Sequence, residues 1–126
     1  QKQKITCSQD AFELIYPYVE NLGHEEFWVV YMNQANKIVE IKNLSSGGIT
    51  GTVFDIRLML KDAILLEATN VILSHNHPSG NLYPSSADKE ITAKAIDAGK
   101  LMNISVLDHL IIADDQFFSF ADEGLI

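Results

Sequence analysis

Two histidines, a serine and an aspartate follow one another closely in the second half of the chain: His75, His77, Ser85 and Asp88. Imidazole nitrogens and carboxylate oxygens are common zinc ligands, and a site with three protein ligands keeps a fourth position open. A water molecule in that position has its pKa lowered to about 7, which makes it a nucleophile near neutral pH. The residue types therefore indicate a catalytic zinc site, with His75, His77 and Asp88 as candidate ligands.

A short apolar run precedes the two histidines and explains how they could meet. Residues 70–74 read Asn-Val-Ile-Leu-Ser, which predicts a buried strand. Side chains two residues apart on a strand point to the same face. We therefore expect His75 and His77 to approach one ion together.

A loop and a helix start follow the histidines. Residues 76–84 are rich in Asn, Pro, Ser and Gly and predict a loop, and residues 85–101 predict a helix. Asp88 would lie in the first turn of that helix and face back toward the loop. The spacing of Ser85 and Asp88 is also typical of a helix cap. A cap alone would account for these two residues, but not for the two histidines upstream of them.

The pattern His-x-His-Pro-x-Gly, followed by Ser85 and Asp88, resembles the JAMM (MPN+) motif of zinc metalloproteases. Across residues 25–120 the chain is also similar to the RadC family, most clearly in the segments FWVVYMN, SHNHPSG and LDHLII. The resemblance implies that residues 1–126 form a single RadC-type MPN/JAMM domain. Its fold would be α/β, a mixed β-sheet flanked by helices in an α-β-α sandwich of the cytidine deaminase-like kind.

The resemblance also implies roles for the residues of the motif. His75, His77 and Asp88 would bind Zn²⁺, and the Ser85 hydroxyl would hydrogen-bond the developing oxyanion. The protein would be an enzyme, a metallohydrolase that cleaves peptide or isopeptide bonds in a protein or peptide substrate. Because RadC also carries a DNA-repair label, the alternative is a DNA-repair accessory or protein-interaction module that keeps the metal fold without protease activity.

A glutamate at the start of an early strand completes the site in JAMM enzymes, where it acts as general base. Glu25, Glu26 and Glu40 are the candidates in this chain. Glu25 is favoured because the glutamate of JAMM enzymes is followed, after one residue, by a small or apolar strand segment. Glu26 is the second choice, because a shift of one residue turns a strand side chain to the opposite face.

Two other zinc chemistries are excluded by the residues. The chain has no His-Glu-x-x-His, so it lacks the helical site of thermolysin-like proteases. A zinc nucleobase deaminase needs a pair of cysteines, whereas Cys7 is the only cysteine here.

A single cysteine cannot form an internal disulfide, which indicates a reducing compartment. With no apolar core after residues 1–4 to suggest a signal peptide and no long apolar run, we expect a cytoplasmic protein without a membrane segment.

The charge balance bears on partners. The formal net charge is -8, from 9 Lys+Arg against 17 Asp+Glu. Proteins that bind the phosphate backbone present a basic patch, whereas the lysines here are scattered singly among acidic residues. Longer RadC proteins carry an upstream helix-hairpin-helix region that these residues do not include. We therefore expect no direct DNA binding by this domain.

The rest of the chain predicts the element order α, β, β, α, β, α, β, β, which is typical of a mixed α/β sandwich. A cap is expected from Thr6 to Gln9, and Pro17 should kink or shorten the first helix. The second helix should turn Asp62 to water and its apolar residues to the core, Ile64 among them. Besides the strands and helix around the motif, helices are predicted over residues 8–21 and 53–67 and strands over residues 27–32, 38–44, 105–112 and 117–120.

Two further histidines are given structural interpretations. His24 is expected to be an exposed loop residue. His109 lies on a predicted strand and is expected to be a buried structural histidine, with a contact that orients the metal site as the alternative. Asp108 beside it could orient its ring.

Overall fold

The element order of the computed structural model, which describes residues 3–45 and 54–126, is the predicted one. Within these residues the mixed α/β class is confirmed. The strands are β1 (Phe27–Met32), β2 (Ile38–Asn43), β3 (Asn70–Asn76), β4 (Ser105–Ala113) and β5 (Gln116–Ser119). The helices are α1 (Ser8–Val19), α2 (Ile56–Leu65) and α3 (Ser86–Leu101).

The strands form one sheet with the order β2-β1-β3-β4-β5. β1 runs antiparallel to both β2 and β3, whereas β3 and β4 are parallel and joined through α3. Two parallel strands need such a crossover, and a helix is its usual form. The register pairs Phe27 with His75, which sets the start of β1 beside the end of β3.

Helices cover both faces of the sheet. On β1, Val29 and Tyr31 pack in the core under α2 and α3, while Val30 and Met32 pack in the core under α1. This alternation follows from the two-residue period of a strand. The expected α-β-α sandwich is therefore confirmed.

The start of α1 differs from the expected cap. The predicted cap from Thr6 to Gln9 is wrong, because Cys7 is the N-cap residue and makes no side-chain cap hydrogen bond. Asp10 instead accepts hydrogen bonds from the backbone and the hydroxyl of Thr6, at 2.9 and 2.6 Å. Pro17 lies within the helix, which ends two residues earlier than expected.

The inner face of α2 also differs from the prediction, and Val53, its predicted start, lies outside the described residues. Asp62 is only 7% exposed and its carboxylate lies 3.5 Å from Lys42 Nζ on β2. Ile64 is 52% exposed, whereas Met59 and Ala63 are fully buried. The expectation for Asp62 and Ile64 is therefore wrong. A lysine from the neighbouring strand compensates the carboxylate, so the helix can turn it toward the sheet.

Candidate metal centre

The end of β3 holds the two histidines against the sheet. His75 is 2% exposed, and its ring stacks on Phe27 at a centroid distance of 5.3 Å. His77 follows the strand, and its backbone N–H still binds the carbonyl of Ile112 on β4 at 2.8 Å. The two Nε2 atoms lie 2.9 Å apart.

The first turn of α3 brings a carboxylate to the same point. Asp88 Oδ1 lies 3.1 Å from His75 Nε2, and Asp88 Oδ2 lies 3.3 Å from His77 Nε2. The same residues form a capping box: Ser85 Oγ accepts from Asp88 N at 3.0 Å, and Asp88 Oδ2 accepts from Ser85 N at 2.8 Å. The capping role and the contact with the histidines therefore occur together, because the cap aims the carboxylate at the two rings.

The charges of this group are coupled. Burial raises the pKa of Asp88, but the hydrogen bonds with His75 and His77 outweigh burial and hold that pKa far below its ordinary value. The hydrogen bond with Asp88 raises the pKa of His77, against the opposing effect of burial. Asp88 is thus a carboxylate that two imidazoles keep ionised.

Glu25 belongs to the same site. One ligand atom each from Glu25, His75 and His77 lies within 4.8 Å of the others. The pairing of Phe27 with His75 accounts for this, because Glu25 comes two residues before Phe27. The side chains at this point therefore offer two carboxylates and two imidazoles.

The other candidate glutamates have different surroundings. Glu26 accepts from Trp28 Nε1 at 3.0 Å and lies 2.9 Å from Nε2 of the exposed His24. Glu40 is exposed on β2 and pairs with Tyr31. Tyr31 is four residues along β1 from the strand's start, or about 13 Å at the usual rise per residue. Glu40 is therefore remote from the histidines.

The donor set fits a metal ion. The carbonyl of Asn81 lies 2.7 Å from His77 Nδ1 and can only accept, so that nitrogen is the donor and a neutral ring turns the lone pair of Nε2 inward. Ligands about 2.0 Å from a tetrahedral ion lie roughly 3.3 Å apart, close to the separations observed between His75, His77 and Asp88. A metal cation placed between these atoms would be within bonding distance of all three side chains.

Two depressions in the surface meet at this centre, and Glu25 and Asp88 line both. One has a volume of about 360 Å³ and carries apolar side chains, Phe27, Phe54 and Ile91 among them. The other, of about 490 Å³, is lined by the loop after His77 and by Ser85. An extended peptide bound across this centre could therefore place side chains in a different depression on each side.

A third histidine lies behind the first. His109 on β4 is fully buried, its ring stacks on Phe120, and its Nε2 lies 2.9 Å from His75 Nδ1. The expectation that Asp108 orients this ring is wrong. The Asp108 carboxylate accepts from the backbone N–H of His109 instead, at 2.7 Å. Thr92 on α3 holds the ring instead, with Oγ1 2.5 Å from Nδ1. No sequence motif singled out Thr92.

The fold and the donor set define a class: an α-β-α sandwich with a His/His/Glu group that could bind a metal ion, at the end of a central strand. The chain belongs to the family described as "RadC-like JAB domain", whose model matches residues 5–125. Within the described residues, no helix is both long enough and apolar enough to cross a membrane.

Similar proteins come from several bacteria and carry the name UPF0758. The chain is 50% identical to one from Flavobacterium johnsoniae over 123 residues, which cover 98% of the chain and 54% of the relative. It is 43% identical to one from Porphyromonas gingivalis, in a match that covers 100% of the chain and 56% of the relative. It is 40% identical to the protein YfjY of Escherichia coli, in a match that covers 96% of the chain and 76% of the relative. The chain thus spans about half the length of the first two relatives.

Proposed function

We propose that this chain is a zinc-dependent metallohydrolase that cleaves a peptide or isopeptide bond in a protein or peptide substrate. The observation that carries the proposal is the meeting of His75, His77, Asp88 and Glu25 at one point on the surface. Membership of the RadC-like JAB family supports it. The resemblance to the JAMM motif supports the same chemistry.

We assign zinc to His75, His77 and Asp88. Two imidazoles and one carboxylate are a ligand set that leaves one position open for catalysis. When bound, zinc supplies Lewis acidity, which draws electron density from a carbonyl oxygen and makes a water molecule more acidic. Asp88 is assigned as a ligand ahead of Glu25 because its two oxygens contact both Nε2 atoms at 3.1 and 3.3 Å.

Glu25 is the general base in this proposal. Its carboxylate accepts a proton from the attacking water and later delivers it to the leaving nitrogen, which departs as a neutral amine. Its closeness to His75 and His77 supports the role. Glu26 is less suited to it, because its carboxylate accepts from Trp28 Nε1 and Asn43 Nδ2.

Ser85 donates a hydrogen bond to the oxyanion that forms from the substrate carbonyl. Its oxygen accepts from Asp88 N, which leaves the hydroxyl hydrogen for a second partner. Ser85 is exposed and lines the same depression as Glu25 and Asp88, so a substrate carbonyl can reach it. A donor fixed in this way stabilises charge that develops in the transition state.

The two depressions support a more specific proposal about the substrate. An extended peptide lying across Glu25 and Asp88 would set one side chain against Phe27, Phe54 and Ile91, which favours an apolar residue beside the cleaved bond.

The free thiol of Cys7 is compatible with a reducing compartment, and we propose the cytoplasm.

Metal analysis and a peptidase screen test this function. We expect one zinc per chain by elemental analysis, and cleavage of a peptide or isopeptide library that stops with chelator and returns with Zn²⁺. The double variant His75→Ala/His77→Ala should lose both metal and cleavage, while the control variant His24→Ala keeps both. Full zinc occupancy in the double variant would refute the metal assignment. Bound zinc without cleavage, together with a salt-dependent shift of labelled DNA, would favour the accessory-module alternative.

A further inference from the structure

A chain of hydrogen bonds runs from the backbone of α3 to the back of His75. Thr92 Oγ1 lies 2.7 Å from the carbonyl oxygen of Asp88 and 2.5 Å from His109 Nδ1. His109 Nε2 then lies 2.9 Å from His75 Nδ1. The Nε2 atom on the far side of the His75 ring faces His77 and Asp88. Asp88 therefore stands at both ends of the chain, with its backbone carbonyl at one end and its carboxylate at the other.

With a neutral His109 ring, one assignment of the hydrogens satisfies every contact in this chain. The Asp88 carbonyl can only accept, so the Thr92 hydroxyl donates to it. With its single hydrogen used, Thr92 Oγ1 can only accept, and His109 Nδ1–H donates to it. A neutral His109 then offers the lone pair of Nε2 to His75 Nδ1–H. The lone pair of His75 Nε2 is thereby directed at the metal centre.

The surroundings of His109 keep its ring neutral and its orientation fixed. The ring is fully buried and stacks on Phe120 at 4.7 Å with an interplanar angle of 13°. Phe27 packs against it at 5.5 Å. Its two ring nitrogens face Thr92 and His75, and an imidazolium in this apolar position would be poorly solvated.

We propose that His109 and Thr92 are positioning residues of the metal centre, which set the tautomer of His75 so that Nε2 is ready to bind an ion. This inference rests on the metal site assigned above and does not depend on the hydrolytic reaction. Without the Thr92 hydroxyl, His109 Nδ1–H has no acceptor, so His109 shifts its hydrogen to Nε2. His75 Nδ1 must then accept, and its remaining hydrogen moves to Nε2, where it blocks the lone pair.

Thr92→Val and Thr92→Ser form a matched pair for the test. Valine has nearly the shape of threonine without the hydroxyl, whereas serine keeps the hydroxyl. Long-range ¹H–¹⁵N spectra of the chelator-treated chain report which nitrogen of each histidine carries the hydrogen. We expect Nδ1–H on His75 in the wild type and in Thr92→Ser, and a shift toward Nε2–H in Thr92→Val.

Zinc affinity supplies the second readout. Competition with a chromophoric chelator should show binding weakened by about 10- to 100-fold in Thr92→Val and nearly unchanged in Thr92→Ser. The wild-type tautomer is measured without any substitution, so a variant that fails to fold leaves the test intact. Nε2–H on His75 in the wild type, or an unchanged tautomer and affinity in folded Thr92→Val, would overturn the inference. Failure to find a peptidase substrate bears only on the proposed hydrolysis.

Discussion

The side-chain amide of Asn76 binds the backbone on both sides of Glu25. Its Nδ2 donates to the carbonyl of His24 at 2.9 Å, and its Oδ1 accepts from the N–H of Glu26 at 2.7 Å. Asn76 is 4% exposed and lies between the two histidines in sequence. One buried amide therefore connects the candidate metal-binding loop to the segment that carries the proposed base.

Asn76→Asp tests this connection, because a carboxylate can accept from Glu26 but cannot donate to His24. Repulsion between the new carboxylate and that carbonyl should displace Glu25, and a displacement of about 1 Å can lower turnover by about 100-fold. Zinc content should remain close to one per chain. The measurement is kcat/KM alongside elemental analysis, with Gln34→Glu in the exposed turn between β1 and β2 as control. Unchanged turnover in folded Asn76→Asp would show that the amide does not position the base.

Glu25→Gln should separate catalysis from metal binding. The amide cannot take a proton from water, so we expect turnover to fall by about 10² to 10⁴ while zinc content is unchanged. Glu26→Gln is the matched control and should keep most of the activity, because a glutamine oxygen can still accept from Trp28. Loss of zinc in Glu25→Gln would instead make Glu25 a ligand.

Asp88→Asn and Ser85→Ala should separate the capping role of this pair from metal binding. Asparagine can still accept from Ser85 N, so α3 keeps its cap, but the loss of charge should abolish zinc retention in the purified chain. Ser85→Ala should retain zinc and lower the free energy of unfolding by about 1 kcal/mol. Elemental analysis and denaturant unfolding of chelator-treated protein measure the two effects. Full zinc in Asp88→Asn would contradict its assignment as a ligand.

Tyr31 should make the protein sensitive to alkali. Burial, with a contribution from Asp62, raises the pKa of the Tyr31 hydroxyl well above its ordinary value. The unfolded chain ionises this group near pH 10, whereas the folded chain does not. The contribution of Tyr31 to stability is therefore complete below about pH 10 and is lost as pH rises from there toward the folded-state pKa.

The variant Tyr31→Phe checks this dependence. It removes the hydrogen bond from the hydroxyl to the carbonyl of Met59, at 3.3 Å, and should cost about 1 kcal/mol at neutral pH. Between pH 9 and 11 its unfolding free energy should decline less than that of the wild type. Parallel curves over this range would show that Tyr31 does not titrate differently in the two states.

Much of the candidate metal centre could be predicted from the sequence because it is local. The two-residue period of β3 brings His75 and His77 together, and the helix cap at Ser85 aims Asp88 back at them. Backbone geometry over a few residues determines these relations. The strand and helix order followed from equally local patterns of apolar residues and turn residues.

The rest depended on contacts between distant segments. The sequence left three glutamates open as the base, and the pairing of Phe27 with His75 brings one of them, Glu25, close to the two histidines. Asp62 was expected to face water, because its neighbours in the sequence do not indicate that Lys42 on β2 lies close to its carboxylate. Such relations depend on strand register and packing, which no short window of sequence determines.

His109 is the clearest case of what tertiary structure decided. The pairing of β4 with β3 shifts by one residue at Leu107, so that Val106 pairs with Val71 and Asp108 with Ile72. This bulge breaks the simple alternation of β4 and turns Val106 and His109 toward the same face, under α3. Sequence alone predicted a compact set of candidate metal ligands at the end of a strand. The tertiary structure decided that Glu25 lies close to these ligands and that His109 lies behind the ring of His75. Glu25 precedes β1 and His109 lies on β4, and the register of both strands against β3 is set by packing across the sheet.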